Sequence, residues 1–296
     1  MKMSTRTPVA TAGRVFAGHA VWYLPTNTFD ELTARAYEAI IKDPKYQHFI
    51  RIPRRIVRCL DFFGIHYQSD AVERRLRAYY LFIGVIDNAI DCHDPHLGQT
   101  VLHQLESIRR FDNFKNISET NLATDVLRLE IADEIRADFI KIMRALSKAV
   151  KRERTAGSMS EYIHARKRVG RLTARASYIL IRPFLPVDAG HIRHFMEDVG
   201  EIGCLVDSVI DLHADLCSGL LNFKITLMEF TRLLACTVEN GAKLSIKYPQ
   251  LWGLFTEAVA DNVRDRLRAR NSDSARRLFS NTECHEHDEN LVKGVL

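Results

Sequence analysis

The sequence predicts an all-α protein. Only 14 Gly and 8 Pro occur among 296 residues, and long stretches contain neither, unlike the turn-rich sequences of β-sandwiches and barrels. Aspartates also recur every four residues inside apolar segments, which places them on one face of a helix. Apolar residues make up 46% of the chain and charged residues 27%, a composition typical of globular proteins.

Capping residues and breakers set the expected helix boundaries. Thr28 and Glu31 have the spacing of a capping box, so the first helix should run from Thr28 to about Lys42. Further helices are predicted at 45–63, 70–92, 99–110, 122–153, 158–181, 188–218, 225–247 and 248–270. No repeat or low-complexity linker separates them. We therefore expect one domain over 21–270, a flexible segment at 1–20 and a mobile tail at 271–296.

Charge and cysteine usage favour a cytoplasmic protein. The 42 basic and 37 acidic side chains give a net charge of +5 and are spread along the chain, whereas a nucleic-acid-binding protein usually gathers its basic residues. Six cysteines without a C-x-x-C pair indicate reduced thiols. No signal sequence and no stretch of about 20 apolar residues is present. We expect neither nucleic acid nor a membrane span.

A first acidic cluster ends an apolar helix. Asp87, Asp91 and Asp94 lie at offsets of 0, 4 and 7, within a narrow arc of one helical face. Their mutual repulsion and the partial negative charge of the helix C-terminus are both unfavourable, so a cation should compensate. Mg²⁺ bridging to a diphosphate would do so.

A second cluster is more regular. Asp207, Asp211 and Asp215 repeat every four residues, and the residues around them are mostly apolar. Carboxylates beside a buried surface must be paired, protonated or bound to metal. Two such stripes, more than a hundred residues apart in the chain, could face each other across one cavity. The alternative is that each stripe is a solvated helix face joined to arginines in ion pairs.

Other metal arrangements are less favoured. Zinc could use Cys92 with His93, or His213 with Cys217, but it usually takes three or four N or S ligands, and carboxylates outnumber these here. The tract from Cys284 to Asp288 resembles a metal site only superficially and is interpreted as part of the tail.

At these residues the sequence resembles the class I isoprenoid synthases, in particular the squalene and phytoene synthase-like group and bacterial terpene synthases. The segments 87–91 and 207–215 look like the two Asp-rich motifs of that family. The resemblance implies a single helical bundle around a central apolar cavity. It also implies a cluster of three Mg²⁺ ions, with Mn²⁺ as a substitute, held by Asp87, Asp91, Asp207, Asp211 and Asp215. Asp94 is a less certain ligand.

Residues between the two motifs are candidates for binding the substrate. Arg166, Arg168 and Arg171 carry guanidinium groups that match phosphate oxygens, with Arg166 and Arg171 favoured. Tyr162 and Tyr80 are further candidates. A carbocation would need aromatic surroundings, and the candidate aromatic residues, each equally compatible with ordinary core packing, are Tyr79, Tyr80, Phe82, Phe184, Phe195 and Phe223.

The expected function is therefore that of a Mg²⁺-dependent terpene synthase, which ionises farnesyl or geranylgeranyl diphosphate, cyclises or rearranges the cation and releases diphosphate. Head-to-head coupling of two prenyl chains is an alternative. However, the Val-, Ala- and Gly-rich signature of phytoene synthases is absent between the motifs. A non-catalytic helical binding protein is a third alternative. The oligomeric state is open, with a homodimer retained.

Overall fold

The protein is described by a computed structural model. It covers residues 13–17, 20–24, 31–92, 97–106, 118–187, 189–217, 219, 221–257, 259–261 and 264. The chain divides into two units, residues 1–254 and 255–296. In the second unit, residues 255–257 and 259–261 are helical, and Arg264 donates a hydrogen bond to Asp261 (2.9 Å). No helix among the covered residues is long and apolar enough to span a membrane.

The first unit is helical apart from one hairpin near its start. Strands β1 (Gly13–Ala17) and β2 (Ala20–Leu24) pair antiparallel, with Gly13 opposite Leu24. This hairpin lies partly within residues 1–20, where no regular structure is predicted. The helical character expected from the sequence is confirmed. The class I isoprenoid synthase fold itself stays a prediction.

The helices agree with the predicted ones, with one clear exception. Their bounds are α1 (Glu31–Lys42), α2 (Gln47–Phe62), α3 (Ser69–Cys92), α4 (Leu97–Glu106), α5 (Glu119–Glu130), α6 (Asp133–Arg154), α7 (Met159–Ile181), α8 (Gly190–Cys217) and α9 (Leu227–Lys247). The expected start of the first helix at Thr28 lies outside the described residues.

The single helix predicted over 122–153 is wrong, because the chain breaks between α5 and α6. Ile131 and Ala132 adopt extended conformations (ψ 105° and 150°) although neither is Gly or Pro. The cause is tertiary. Ile131 is buried, and the Glu130 carboxylate accepts a hydrogen bond from Arg74 of α3 (2.8 Å). These contacts anchor the break from a distant part of the chain, so no local breaker residue reveals it.

Helices α7 and α8 form an antiparallel pair with direct backbone contact. A Cβ atom on Gly170 would overlap the carbonyl oxygen of Gly200, and one on Gly200 would overlap that of Gly170. The two helices can approach this closely only because neither position carries a side chain. This crossing sets which residues of α7 and α8 face each other in both directions along the pair.

An apolar cluster lies beyond this crossing, towards the start of α7 and the end of α8. Its buried members come from α7, α8, α9 and the loop between α6 and α7, and they are Ala156, Met159, Tyr162, Ile163, Leu205, Leu212 and Leu233. Partly buried residues that follow α8, including Phe223 and Ile225, pack against it. The last turns of α8, which carry the aspartates, therefore run along an apolar core.

The glycine contact gives the first prediction. Gly200→Ala should lower the free energy of unfolding by about 1–3 kcal/mol, because the added methyl group must push α7 and α8 apart. Gly203 is a matched control on the same helix, since a Cβ there meets nothing within 4 Å. Gly203→Ala should raise the free energy of unfolding by about 0.5–1 kcal/mol through helix propensity.

Urea unfolding followed by circular dichroism measures both values. Two shifts of the same sign would contradict the proposed role of the Gly170–Gly200 contact.

Candidate functional site

The register of α7 and α8 brings Arg166 beside the second aspartate stripe. One turn from the glycine contact, Arg166 faces Cys204, and one turn further Tyr162 faces Ser208. The two helices are antiparallel, so each step of four residues along one meets a step of four back along the other. Asp207 lies next to Ser208 and comes within reach of the same guanidinium group.

Arg166 links three helices through its guanidinium group. Nη1 donates to Glu153 of α6 (2.9 Å), and Nη2 donates to Asp207 of α8 (3.1 Å). Nε donates to the Ser208 hydroxyl (2.7 Å), and Nη2 also reaches the Cys204 carbonyl oxygen (3.3 Å). Charged hydrogen bonds of this kind are stronger than neutral ones. Arg166 therefore holds α6, α7 and α8 together where the aspartates begin.

Ser208 of α8 takes part in three hydrogen bonds of this network. Its hydroxyl donates to the Cys204 carbonyl oxygen (2.8 Å) and accepts from Arg166 (2.7 Å) and from the Tyr162 hydroxyl (3.2 Å). A serine hydroxyl has one donor and two acceptor positions, so this fully buried group is satisfied. The contacts fix the orientation of α8 about its own axis at Asp207.

The charges around Arg166 are strongly coupled. Burial alone would lower the pKa of Arg166, but the nearby Glu153, Cys204 and Asp207 raise it well above its usual value. Its side chain is only 16% exposed. The cation is therefore permanent and offsets carboxylates from α6 and α8 at once.

Asp87 of α3 acts on the same region. Burial raises the pKa of the Cys204 thiol to about 12, and the Asp207, Glu153 and Asp87 carboxylates add to the rise while Arg166 opposes it. Carboxylates from the ends of α3 and α8 therefore influence one thiol. Asp87 itself is exposed. Asp87 and Asp207, the first members of the two acidic stripes predicted from the sequence, thus both raise the pKa of this thiol.

The C-terminal end of α3 is covered by a cation of the protein. Both Nη atoms of Arg154 approach the Ile90 carbonyl oxygen, at 3.4 and 3.5 Å. A positive charge is favourable where the helix leaves its carbonyl groups without partners. Asp91 lies on α3, but its side chain is outside the described residues, as is Asp94. The cation expected to compensate this acidic end is at least partly supplied by Arg154.

Asp211 and Asp215 continue the stripe along the last turns of α8, and both are half-buried. Asp215 acts on Tyr162, whose pKa is raised to about 12 mainly by burial, with Glu153 and Asp215 adding to the rise and Arg166 opposing it. Tyr162 is 1% exposed, and its ring lies 6.0 Å from that of Phe223. The acidic stripe therefore borders an aromatic surface.

Other predicted aromatic residues are packed elsewhere. Tyr79 donates a hydrogen bond to the Thr173 carbonyl oxygen (3.1 Å), and the Tyr80 hydroxyl lies 3.0 Å from that of Ser177. Both tyrosines are buried between α3 and α7, and Phe82 is also buried. These contacts correspond to the core role that was the alternative for each aromatic residue.

Phe195 and Phe184 also have partners within the protein. Phe195 forms edge-to-face contacts with Phe63 and Tyr248 (4.8 and 5.0 Å between ring centroids). Phe184 is covered by the Arg75 guanidinium group, at 4.4 Å from the ring centroid. Of the six predicted aromatic residues, Phe223 is the one in direct contact with Tyr162.

The other predicted arginines do not join Arg166. Arg171 pairs with Glu201, and one turn further along α7 Arg175 pairs with Glu197 through Nε at 2.7 Å. Arg168 is exposed, and two residues along a helix turn its side chain about 200° from that of Arg166. The structure therefore separates Arg166 from the other arginines grouped with it in sequence.

Two residues of this site, Glu153 and Ser208, are not predicted from the sequence. Glu153 is the one acid in the run from Lys151 to Arg154, which suggests a specific partner, since a solvated basic face needs none. Ser208 follows Asp207 inside the acidic motif, where a polar residue on the buried side signals a helix contact. Both signals are weak until the partner helix is known.

The aspartate carboxylates could bind Mg²⁺ only together with ligands that the protein does not supply. Among the described residues, no three His, Cys, Asp or Glu side chains lie close enough together to hold a metal ion. Mg²⁺, however, commonly uses one or two carboxylates and completes its octahedron with waters and phosphate oxygens. The Asp87 and Asp207–Asp215 carboxylates therefore fit Mg²⁺ that arrives with a diphosphate. They do not form a preformed protein cage.

The Arg166 network gives the second prediction. Arg166→Met should lower the free energy of unfolding by about 2–3 kcal/mol, because Glu153 and Asp207 lose their shared cation in a partly buried setting. Glu153→Gln combined with Arg166→Met should recover part of that loss. Lys243→Met is the control, since its pair with Glu239 is fully exposed and should contribute little to stability.

Chemical denaturation of the four proteins measures the changes. An Arg166→Met loss no larger than that of Lys243→Met would refute the proposed role of the network.

Tyr80 gives the third prediction. Burial raises its pKa to about 12, whereas an unfolded tyrosine ionises near 10. Above pH 10 the unfolded state therefore holds fewer protons than the folded state, and stability falls as pH rises. Tyr80 should account for a loss on the order of 1 kcal/mol by pH 11. In Tyr80→Phe the decline from pH 9 to 11 should be shallower by that amount.

Urea unfolding at each pH measures the slope, and the offset at pH 8 corrects for the lost hydroxyl group. Parallel pH profiles for the two proteins would rule out this titration.

Comparison with known proteins adds no further constraint. No protein-family model, curated protein or solved structure gives a match to this chain.

Proposed function

We propose that this protein is a Mg²⁺-dependent class I terpene synthase, which ionises a prenyl diphosphate such as farnesyl or geranylgeranyl diphosphate. The observation that carries the proposal is the setting of the second aspartate stripe, which joins the buried Arg166 cation at Asp207 (3.1 Å) and runs along an apolar core. Asp87 of α3 and Asp207 of α8 both act on the Cys204 thiol, beside the Arg166 cation. Acidic groups from two helices, next to a permanent cation and an apolar core, suit a metal-bridged diphosphate.

The carboxylates have the role of ligands in this proposal. Asp87, Asp207, Asp211 and Asp215, with Asp91 by its position on α3, would hold Mg²⁺ ions that also bind the diphosphate. Bound Mg²⁺ supplies Lewis-acid stabilisation of the negative charge that develops on the leaving diphosphate. The negatively charged carboxylates repel a diphosphate that carries no metal ion. Diphosphate binding at this site should therefore depend strictly on the metal.

Arg166 has a positioning role. Its guanidinium group already joins Glu153, Asp207 and Ser208, so it holds Asp207 in place from the α7 side. The pKa of Arg166 is raised, so this cation persists at every pH at which the protein is folded. A fixed positive charge next to the metal ligands limits their repulsion before any metal binds.

The apolar cluster suits the step after ionisation, in which the carbocation cyclises or rearranges. A carbocation is quenched by water, so it needs apolar and aromatic walls near the ionised carbon. Tyr162, Phe223 and Leu212 lie in the cluster that borders the acidic stripe. The half-buried Phe223 ring, which packs against Tyr162, supplies an aromatic face beside the stripe.

Turnover with and without the metal tests this proposal. The protein is incubated with geranyl, farnesyl and geranylgeranyl diphosphates in Mg²⁺ or in EDTA, and released diphosphate and extracted hydrocarbons are measured. We expect release only with Mg²⁺. Products with the carbon count of the substrate would identify a cyclase, and doubled counts would identify head-to-head coupling.

Variants localise the activity. Asp87→Asn and Asp211→Asn should each reduce Mg²⁺-dependent release at least about 100-fold while helical content stays unchanged. Asp198→Asn is the matched control on α8, because Asp198 lies near the opposite end and pairs with Lys247 (2.5 Å). It should retain wild-type turnover. No Mg²⁺-dependent release from any substrate, or equal losses in all three variants, would exclude the proposed activity.

A further inference from the structure

A basic cleft lies on the outer side of the α6–α7 pair. It has a volume of about 340 Å³, and its floor includes the small residues Ala145 and Ala149. Five basic side chains complete its lining, four from α6 and one from α7, and they are Lys141, Arg144, Lys148, Arg152 and Arg168. No acidic residue lines it.

Most of these cations form no ion pair within the part of the chain that the structure describes. Arg144 donates to Glu106 (Nε to Oε1, 2.8 Å). For Lys141, Lys148, Arg152 and Arg168, no ion pair is formed with any residue in the ranges that the structure covers. Like charges three or four residues apart on a helix repel each other. The cleft therefore concentrates uncompensated positive charge on a protein whose net charge is only +5.

The pairing of α6 with α7 explains why Arg168 joins the α6 cations. Glu153 meets Arg166 near one end of the pair, and Asp138 meets Arg182 near the other, at 3.4 Å. This antiparallel register places Arg168 level with Arg152. The helix dipole favours cations only in the last turn of a helix. It does not explain this cleft, which extends to the middle of α6 and includes a cation from α7.

The cleft is separate from the aspartate site. Arg166 and Arg168 point about 200° apart around α7, one towards α8 and the other towards the outer cleft. Among the side chains that the structure describes, neither Arg168 nor Lys148 contacts Asp87, Asp207, Asp211 or Asp215. An anion in this cleft would not compete with one held by metal at Asp207.

We propose that this cleft binds a compact polyanion that carries at least two phosphate groups. Its basic residues on α6 span Lys141 to Arg152, about 16 Å along the helix axis, which exceeds the reach of a single phosphate. Ala145 and Ala149 leave room for the ligand between the longer side chains. Guanidinium and ammonium groups together suit phosphate oxygens through bidentate and point-charge contacts.

Metal dependence separates this site from the aspartate site. A diphosphate in the basic cleft needs no Mg²⁺, because the protein supplies the positive charge. At the acidic stripe the same anion would be repelled without metal. The inference is therefore independent of the proposed synthase activity, and binding in EDTA isolates the cleft.

Calorimetric titration with inorganic diphosphate in EDTA tests the site, using the full-length protein. We expect saturable binding near one-to-one stoichiometry that weakens as salt concentration rises. Lys148→Glu and Arg168→Glu should each weaken binding at least tenfold. Both side chains are exposed, so circular dichroism should show an unchanged fold.

Matched controls test specificity. Arg54→Glu makes the same charge reversal at an exposed position on α2 outside the cleft, and it should leave the affinity within twofold. Asp211→Asn should also bind normally in EDTA, which assigns the signal to the cleft.

Three outcomes would overturn the proposal. They are no diphosphate binding at millimolar concentration, an equal loss in Arg54→Glu, and binding confined to RNA or to vesicles containing phosphatidylglycerol. The last would identify a macromolecular surface in place of a small-ligand site.

Discussion

The backbone contact between Gly170 and Gly200 is the constraint on which the candidate site depends. Because no side chain separates α7 from α8 there, the two helices are locked in one antiparallel register. That register places Arg166 beside Asp207 and Ser208, and Tyr162 beside Ser208. A shift of the α7–α8 register by one residue would turn these side chains about 100° away from each other, and the contacts that form the site would be lost.

Arg166 provides the main electrostatic contact at this site. It brings Glu153 of α6 and Asp207 of α8 to one guanidinium group, and both carboxylates are partly buried. Removing one partner of a buried ion pair is strongly destabilising, even where the intact pair contributes little to net stability. The same cation holds the Asp207 carboxylate in place, which is also what a ligand for Mg²⁺ requires. Stability and the proposed chemistry thus rest on the same side chain.

Helix α7 has two faces with opposite environments. On one face, Arg166 is neutralised by carboxylates and buried beside the apolar cluster. On the other, Arg168 lies in a cleft lined by basic residues of α6, without an ion pair among the residues the structure covers. Two arginines only two positions apart therefore have different surroundings, and in the proposal only Arg168 faces an external anion. Helical geometry alone separates them.

The sequence by itself determined the helical class, most helix boundaries and the two acidic stripes, because each follows from local spacing and composition. It could not reveal the break at Ile131–Ala132, which depends on the contact of Glu130 with α3. Nor could it divide the arginines of α7, since the partner of each is set by which helix lies opposite. Glu153, Ser208 and the basic cleft likewise depend on contacts between residues far apart in the chain. Only the tertiary structure decided them, because Coulomb and hydrogen-bond energies depend on distances in space.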